Sequence, residues 1–343
     1  MKLRSVFLGS MLTAGAGLSF AQSCQLIEQN EQFVLRNPGN TRCDLNLNKN
    51  LDKAVLLTGQ QASNISLNCQ NFSVGNLQKY PSILIQTELK QKKWSVPQNI
   101  NIQNCNIRNG IRIHGVGRNG QAAQVKMSSQ QLGHTQRMQQ RAPSQIVLDR
   151  LRFTAVEHNL LYLAPGVHHV SLRNSQFSGE TKALAIYLDA ESANNSIENN
   201  QFKLKNKKRE LIAIDGSASN IIRHNHFDVY KSGAIFLYRN CGEGGTVRHQ
   251  TPSYNQIINN QFYLKASSNH PVIWVGSRAG KRAYCSADHG FAFGSSANDQ
   301  DLAQHNVINN NTLRLNQFRL PAQQFIVLTD ALNSVQKNAI VAR

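Results

Sequence analysis

The chain has 343 residues, with 37 Lys+Arg against 19 Asp+Glu, a formal net charge of +18 and a pI near 9.9. A charged fraction of 16% beside 40% hydrophobic residues excludes a disordered basic tail, which carries more charge and less apolar material. A chain this long can bury a substantial core, so the surplus charge sits on a folded surface and calls for an acidic partner: nucleic acid, anionic membrane or acidic polysaccharide.

Residues 1–21 read as a signal peptide. Lys2 and Arg4 precede an apolar stretch from Val6 to Phe20, and Ser19-Phe20-Ala21 fits a cleavage site. No later run approaches the length of a membrane span, so the expected product is a periplasmic or secreted protein with no transmembrane segment. Export argues against nucleic acid as the partner and allows the six cysteines to oxidise.

Residues 22–58 lack the repeat described next and are expected to form an N-terminal cap on a single domain spanning 59–343. Within that domain an Asn-rich phrase returns beside Ile and Phe. Examples are Ile65-Ser66-Leu67-Asn68-Cys69-Gln70-Asn71-Phe72, Ser196-Ile197-Glu198-Asn199-Asn200-Gln201-Phe202 and Ile257-Ile258-Asn259-Asn260-Gln261-Phe262. Phe153, Phe177, Phe202 and Phe227 recur at intervals of 24, 25 and 25 residues. Between these copies lies an alternating strand, Ile-x-Leu-x, seen at Ile111, Leu161, Ile186, Ile212, Ile235, Ile273 and Ile326. Period-two alternation in short strands, repeated about every 25 residues, predicts an all-β parallel solenoid. Asn side chains stacked at the turns would satisfy backbone groups there.

On these phrases the sequence resembles the right-handed parallel β-helix superfamily, which includes pectate lyases, polygalacturonases and alginate epimerases. The resemblance spans roughly residues 60–340 and implies the fold more than the chemistry. In that frame Cys24 and Cys43 staple the cap, Cys69 and Cys105 join consecutive coils, and Cys241 pairs with Cys285 between neighbouring loops.

Long insertions near 115–144, 239–254 and 277–305 all follow Ile-x-Leu-x strands, so they should rise from one edge and wall a groove. Stacking those strands produces two outward columns. The first contains Arg112, Tyr162, Tyr187, Phe236 and Trp274; the second contains His114, Asp189, Asp215 and Tyr238. Aromatics in such columns suit the apolar faces of sugars, unless the loops cover them as a secondary core. Adjacent Asp189 and Asp215 would raise one another's pKa and could divide the roles of acid and base, ligate Ca²⁺, or occupy polar turns.

Within the loops, Arg239, Arg248, His249, Arg278, Lys281 and Tyr284 join Tyr238 as candidates. β-Elimination from a uronate needs a cation to neutralise the carboxylate, a base to remove the neighbouring proton, and an acid for the leaving oxygen. Tyr238, Arg239 and His249 are the expected catalytic groups. Arg112, His114, Tyr162, Tyr187, Phe236, Arg248, Trp274, Arg278, Lys281 and Tyr284 are the expected substrate contacts. The resulting expectation is a polysaccharide lyase acting on an acidic glycan, with no required cofactor, though Ca²⁺ is admissible. A hydrolase using Asp189 and Asp215, a uronate epimerase and a non-catalytic adhesive solenoid are the alternatives.

Two further patterns carry no weight. Gly115-Val116-Gly117-Arg118-Asn119-Gly120 fits GxGxxG but leads into a polar insertion without a βαβ unit. His168-His169 and His224-Asn225-His226 lie beside repeat turns, where polar residues are ordinary, so no metal site is assigned.

Overall fold

Each turn of the chain lays one short strand on each of three parallel sheets, forming a right-handed parallel β-helix. The computed structural model describes residues 22–280, 283–321 and 324–342. The expected signal peptide at 1–21 and the candidate Lys281 lie outside the described residues.

The first sheet, here the loop-bearing sheet, has eleven strands, from Gln25–Gln29 to Ile326–Leu328. The asparagine sheet also has eleven, from Gln22–Ser23 to Ser334–Gln336. The phenylalanine sheet has nine, from Ser73–Val74 to Ala339–Ala342. The Ile-x-Leu-x strands stack in the expected register: Ile111 on Leu161, Ile186, Ile212, Ile235, Ile273 and Ile326 in turn.

Parallel stacking starts before the repeat phrase becomes visible. Phe33 already pairs with Val55, and Val55 with Ile83. Those strands are apolar but lack the Ile-x-Leu pattern, which hides them in the sequence. Only the antiparallel pairing of Gln25–Gln29 with Gln32–Arg36 closes the sheet end and shields its unpaired backbone.

Alternate residues point inward and form one continuous core. Phe153, Phe177, Phe202, Phe227 and Phe262 stack in a file with ring centroids 4.5–4.9 Å apart. Two asparagine ladders run parallel to it. In one, Asn195, Asn220, Asn255, Asn306 and Asn333 each accept the backbone N–H of the residue one coil earlier or donate onward. The turns beside the ladders place one residue per coil in the left-handed region, such as Asn174 (φ 53), Asn199 (φ 56) and Asn259 (φ 57). Asn tolerates that conformation better than other non-glycine residues, which accounts for the Asn-rich phrase.

Disulfides join Cys24 to Cys43, Cys69 to Cys105 and Cys241 to Cys285. No helix among the described residues is long and apolar enough to cross a membrane. The long excursions leave the same corner, between the loop-bearing and asparagine sheets: 115–143, 239–255 and 276–306. A fourth, smaller excursion there is the hairpin of Glu88–Lys90 with Lys93–Ser95, which the repeat spacing alone did not distinguish from ordinary coil.

Candidate functional site

The two outward columns of the loop-bearing sheet divide into a covered reach and an open reach. Over the middle coils the insertions fold down onto the sheet. Asp189 is 2% exposed and Asp215 is fully buried. Asp189 accepts hydrogen bonds from the Tyr162 hydroxyl, the Gly120 backbone N–H at 3.1 Å and the Ala190 N–H at 2.8 Å. Asp215 accepts from the Tyr187 hydroxyl, the Asn240 backbone N–H at 2.8 Å and the Asn240 amide. Burial raises the Asp189 carboxyl above the ordinary range, and the Arg248 guanidinium opposes that shift.

Arg248 itself is buried, with its guanidinium 3.5 Å from Asp189. The arginine presses against Gly120, where a Cβ would sit 2.4 Å from its terminal nitrogens and would displace the guanidinium. Glu191, also buried, receives the Thr135 hydroxyl and the backbone N–H groups of His249 and Gln250 at 2.9 and 3.2 Å. These contacts pin the first and second insertions to the coil between them.

An exposed aromatic groove was the expectation here, and the structure corrects it. Tyr162 and Tyr238 are buried, Tyr187 and Phe236 are half-buried, and the last three form a small secondary core with Leu184 and Ala213. Phe236 meets Trp274 edge-on at 5.7 Å, while the Trp274 indole N–H donates to Thr329.

Nor do Tyr238, Arg239 and His249 converge. The Tyr238 hydroxyl receives Arg209 at 2.9 Å and donates to Glu210 at 3.3 Å. Arg239 is buried and donates to the carbonyls of Asn298 and Gln300, tying down the third insertion. His249 donates Nε2–H to the Ser129 carbonyl at 2.7 Å and packs between His134 and Phe293. Arg278 lies over the Tyr238 ring at 3.7 Å and reaches Asn240, whose amide oxygen also receives the Tyr284 hydroxyl at 3.1 Å. Sequence order grouped these residues; their side chains serve separate loop anchors.

Arg112 and His114 occupy the open reach, toward the N-terminal end. Here the first insertion covers the sheet only in part, burying His114 but leaving a cleft of about 560 Å³ lined by Leu56, Tyr80, Leu84, Gln86 and Arg112, with Arg118 and Asn119 of that insertion at its wall. Leu56 and Leu84 supply a half-exposed apolar floor. The Arg112 guanidinium is held between the Tyr162 ring at 4.4 Å and the Tyr80 ring at 5.5 Å. Its Nε donates to His114 Nε2 at 2.9 Å and its Nη2 to the Arg118 carbonyl at 2.6 Å, while Nη1 has no hydrogen-bond partner among the described residues.

Burial, reinforced by Arg112 and Arg118, pushes the His114 imidazole down to about 3, so the ring is neutral and offers a lone pair at Nε2. Tyr80 donates to the Asn159 carbonyl at 3.3 Å, and burial raises its phenol, keeping the proton in place. Tyr80 escaped the sequence reading because it lies in a turn outside both repeated phrases. Among the described residues, no group of three or more His, Cys, Asp or Glu side chains is placed to hold a metal ion.

No family model and no curated protein sequence matches this chain. Among solved structures it is similar to a tailspike protein mutant of E. coli bacteriophage HK620, at 10% identity and a TM-score of 0.47. That match covers 92% of this chain and 56% of the tailspike, so the chain spans about half of that protein. A mannuronan C-5 epimerase module of Azotobacter vinelandii is similar at 11% identity and TM-score 0.40, covering 88% and 81% of the two chains. A surface adhesin of Streptococcus pneumoniae is similar at 15% identity and TM-score 0.37, covering 88% and 70%.

Proposed function

We propose that the protein acts in the periplasm or outside the cell on an anionic, uronate-containing polysaccharide, which it binds in the open cleft and cleaves by β-elimination. The observation that carries this reading is Arg112: a guanidinium clamped between two tyrosine rings, with one nitrogen unpartnered, beside a neutral histidine. A sugar carboxylate would form a charge-assisted pair with that guanidinium, while the ring's apolar face rests on Leu56 and Leu84.

The chemistry follows from the same atoms. Pairing with the carboxylate draws Arg112 away from His114 and frees the Nε2 lone pair. The added negative charge also raises the proton affinity of that imidazole. His114 then removes the proton from the carbon beside the carboxylate. The electron pair left behind forms a carbon–carbon double bond as the glycosidic carbon–oxygen bond breaks. The leaving oxygen takes the Tyr80 proton.

A panel of uronate polysaccharides, assayed for reducing ends and for absorbance near ~230 nm, tests the reaction, because elimination leaves a conjugated double bond at the new end. Both signals are expected. Reducing ends without absorbance would instead support hydrolysis, and binding without either signal would support an adhesive module.

A further inference from the structure

The outer face of the phenylalanine sheet points away from the cleft, and its charge is one-sided. Its strands carry two carboxylates, Glu180 and Asp228, and both are already paired. Lys205 lies 3.0 Å from Glu180, which Lys207 also contacts, and Lys265 lies 3.4 Å from Asp228. Arg108, Arg152, Lys203, Lys208, Arg314 and Arg319 are exposed, on this face or its margins, and none has an acidic partner among the described residues; against these six the same margins expose one further carboxylate, Glu157. The asparagine sheet is different: Arg150 and Arg173 meet Asp149, and Arg223 meets Glu198.

One outward column along the helix axis runs from Ser178 to Lys203 and on through Asp228 and Tyr263 to Arg314, so two exposed cations stand on either side of an ion-paired acid and an aromatic ring. Successive rungs stand about 4.8 Å apart, so an anionic chain lying along the axis would meet Lys203 and Arg314 roughly 14 Å apart. Tyr263 contributes an aromatic surface, stacked on His226 at 4.1 Å and flanked by Lys265 and Arg314. Between Arg152 and Arg314 this face exposes no large apolar side chain that could enter a lipid bilayer.

We infer that this face is a second binding track for a linear anionic polysaccharide, aligned along the helix axis and separate from the cleft. It rests on the acidic-polysaccharide reading for its ligand class, but not on the cleavage reaction. Such a track would hold a long chain on the molecule and raise its effective concentration at the cleft.

The test uses the full chain in an Arg112→Ala background, so that cleavage and cleft binding do not interfere. Two charge-matched triples are compared for binding to polygalacturonate over a NaCl series: Lys203→Gln/Lys205→Gln/Arg314→Gln on the face, and Lys90→Gln/Lys92→Gln/Lys93→Gln on the small hairpin. The face triple is expected to bind on the order of tenfold more weakly and with a shallower salt dependence, because charge contacts and their released counterions are lost. The hairpin triple should match its parent. Equal binding by both triples, with unchanged thermal midpoints, overturns the track. A face triple that loses binding to phosphatidylglycerol vesicles but not to polygalacturonate overturns the polysaccharide assignment. Loss of all binding with Arg112→Ala alone defeats the track and leaves the cleft intact; a working track in a protein that cleaves nothing defeats the cleavage reading instead.

Discussion

Asn260 illustrates what a single repeated residue does in this chain. Its side-chain oxygen accepts the Asn225 backbone N–H at 3.0 Å and the Asn225 amide at 3.1 Å. Its own amide donates to the Ile222 carbonyl at 2.9 Å and to Asn311 at 3.0 Å. Truncation leaves several buried groups unpaired, each costing about 1–3 kcal/mol. Asn260→Ala should therefore destabilise by about 3 kcal/mol in denaturant unfolding, whereas Asn259→Gly, at an exposed left-handed turn position, should change stability little. Equal effects at the two positions would refute the ladder's energetic role. The ladder was legible because one geometry demands the same residue in every coil. The close approach of Gly120 to Arg248 was not, since the two lie far apart in the sequence.

At the scale of elements, the corner from which the insertions rise was readable, because each follows the same kind of strand. How they fold down was not. That depends on single anchors, such as Glu191 on Thr135 and Asp215 on Asn240, which have no period to reveal them. His134 adds a pH dependence to this anchoring. It is buried beside Ser128 at 3.0 Å, near Glu191, His249, Arg248 and Arg137, and burial lowers it from 6.5 to about 4. A histidine that is neutral when folded binds fewer protons than its unfolded form between those values. Its contribution is therefore complete above pH 6.5 and declines as pH falls toward 4. The stability difference between wild type and His134→Gln should shrink by about 2 kcal/mol between neutral pH and pH 5, since each pKa unit is worth about 1.36 kcal/mol. A difference that does not vary with pH would show that His134 carries no such linkage.

For the whole molecule, the charge surplus falls differently from the sequence expectation. Arg239 and Arg248 of the second insertion are buried anchors, while exposed cations gather on the phenylalanine sheet and around the cleft. The solenoid was legible from period and spacing, and the adjacency of Asp189 and Asp215 from register. The open reach of the loop-bearing sheet was not, because it depends on where the insertions stop covering the sheet. In the proposed reaction substrate meets Arg112 and His114, whereas the Tyr238 hydroxyl is held in a buried contact with Arg209 and Glu210. The most direct test compares initial rates of absorbance increase on one cleaved uronate polysaccharide for wild type, Arg112→Ala, His114→Gln and Tyr238→Phe, all confirmed as folded. The first two variants should lose at least about a hundredfold in rate, the usual contribution of a general base, while Tyr238→Phe keeps most of its activity. Loss of turnover in Tyr238→Phe, with Arg112→Ala and His114→Gln still active, would place the chemistry beneath the insertions and contradict the cleft.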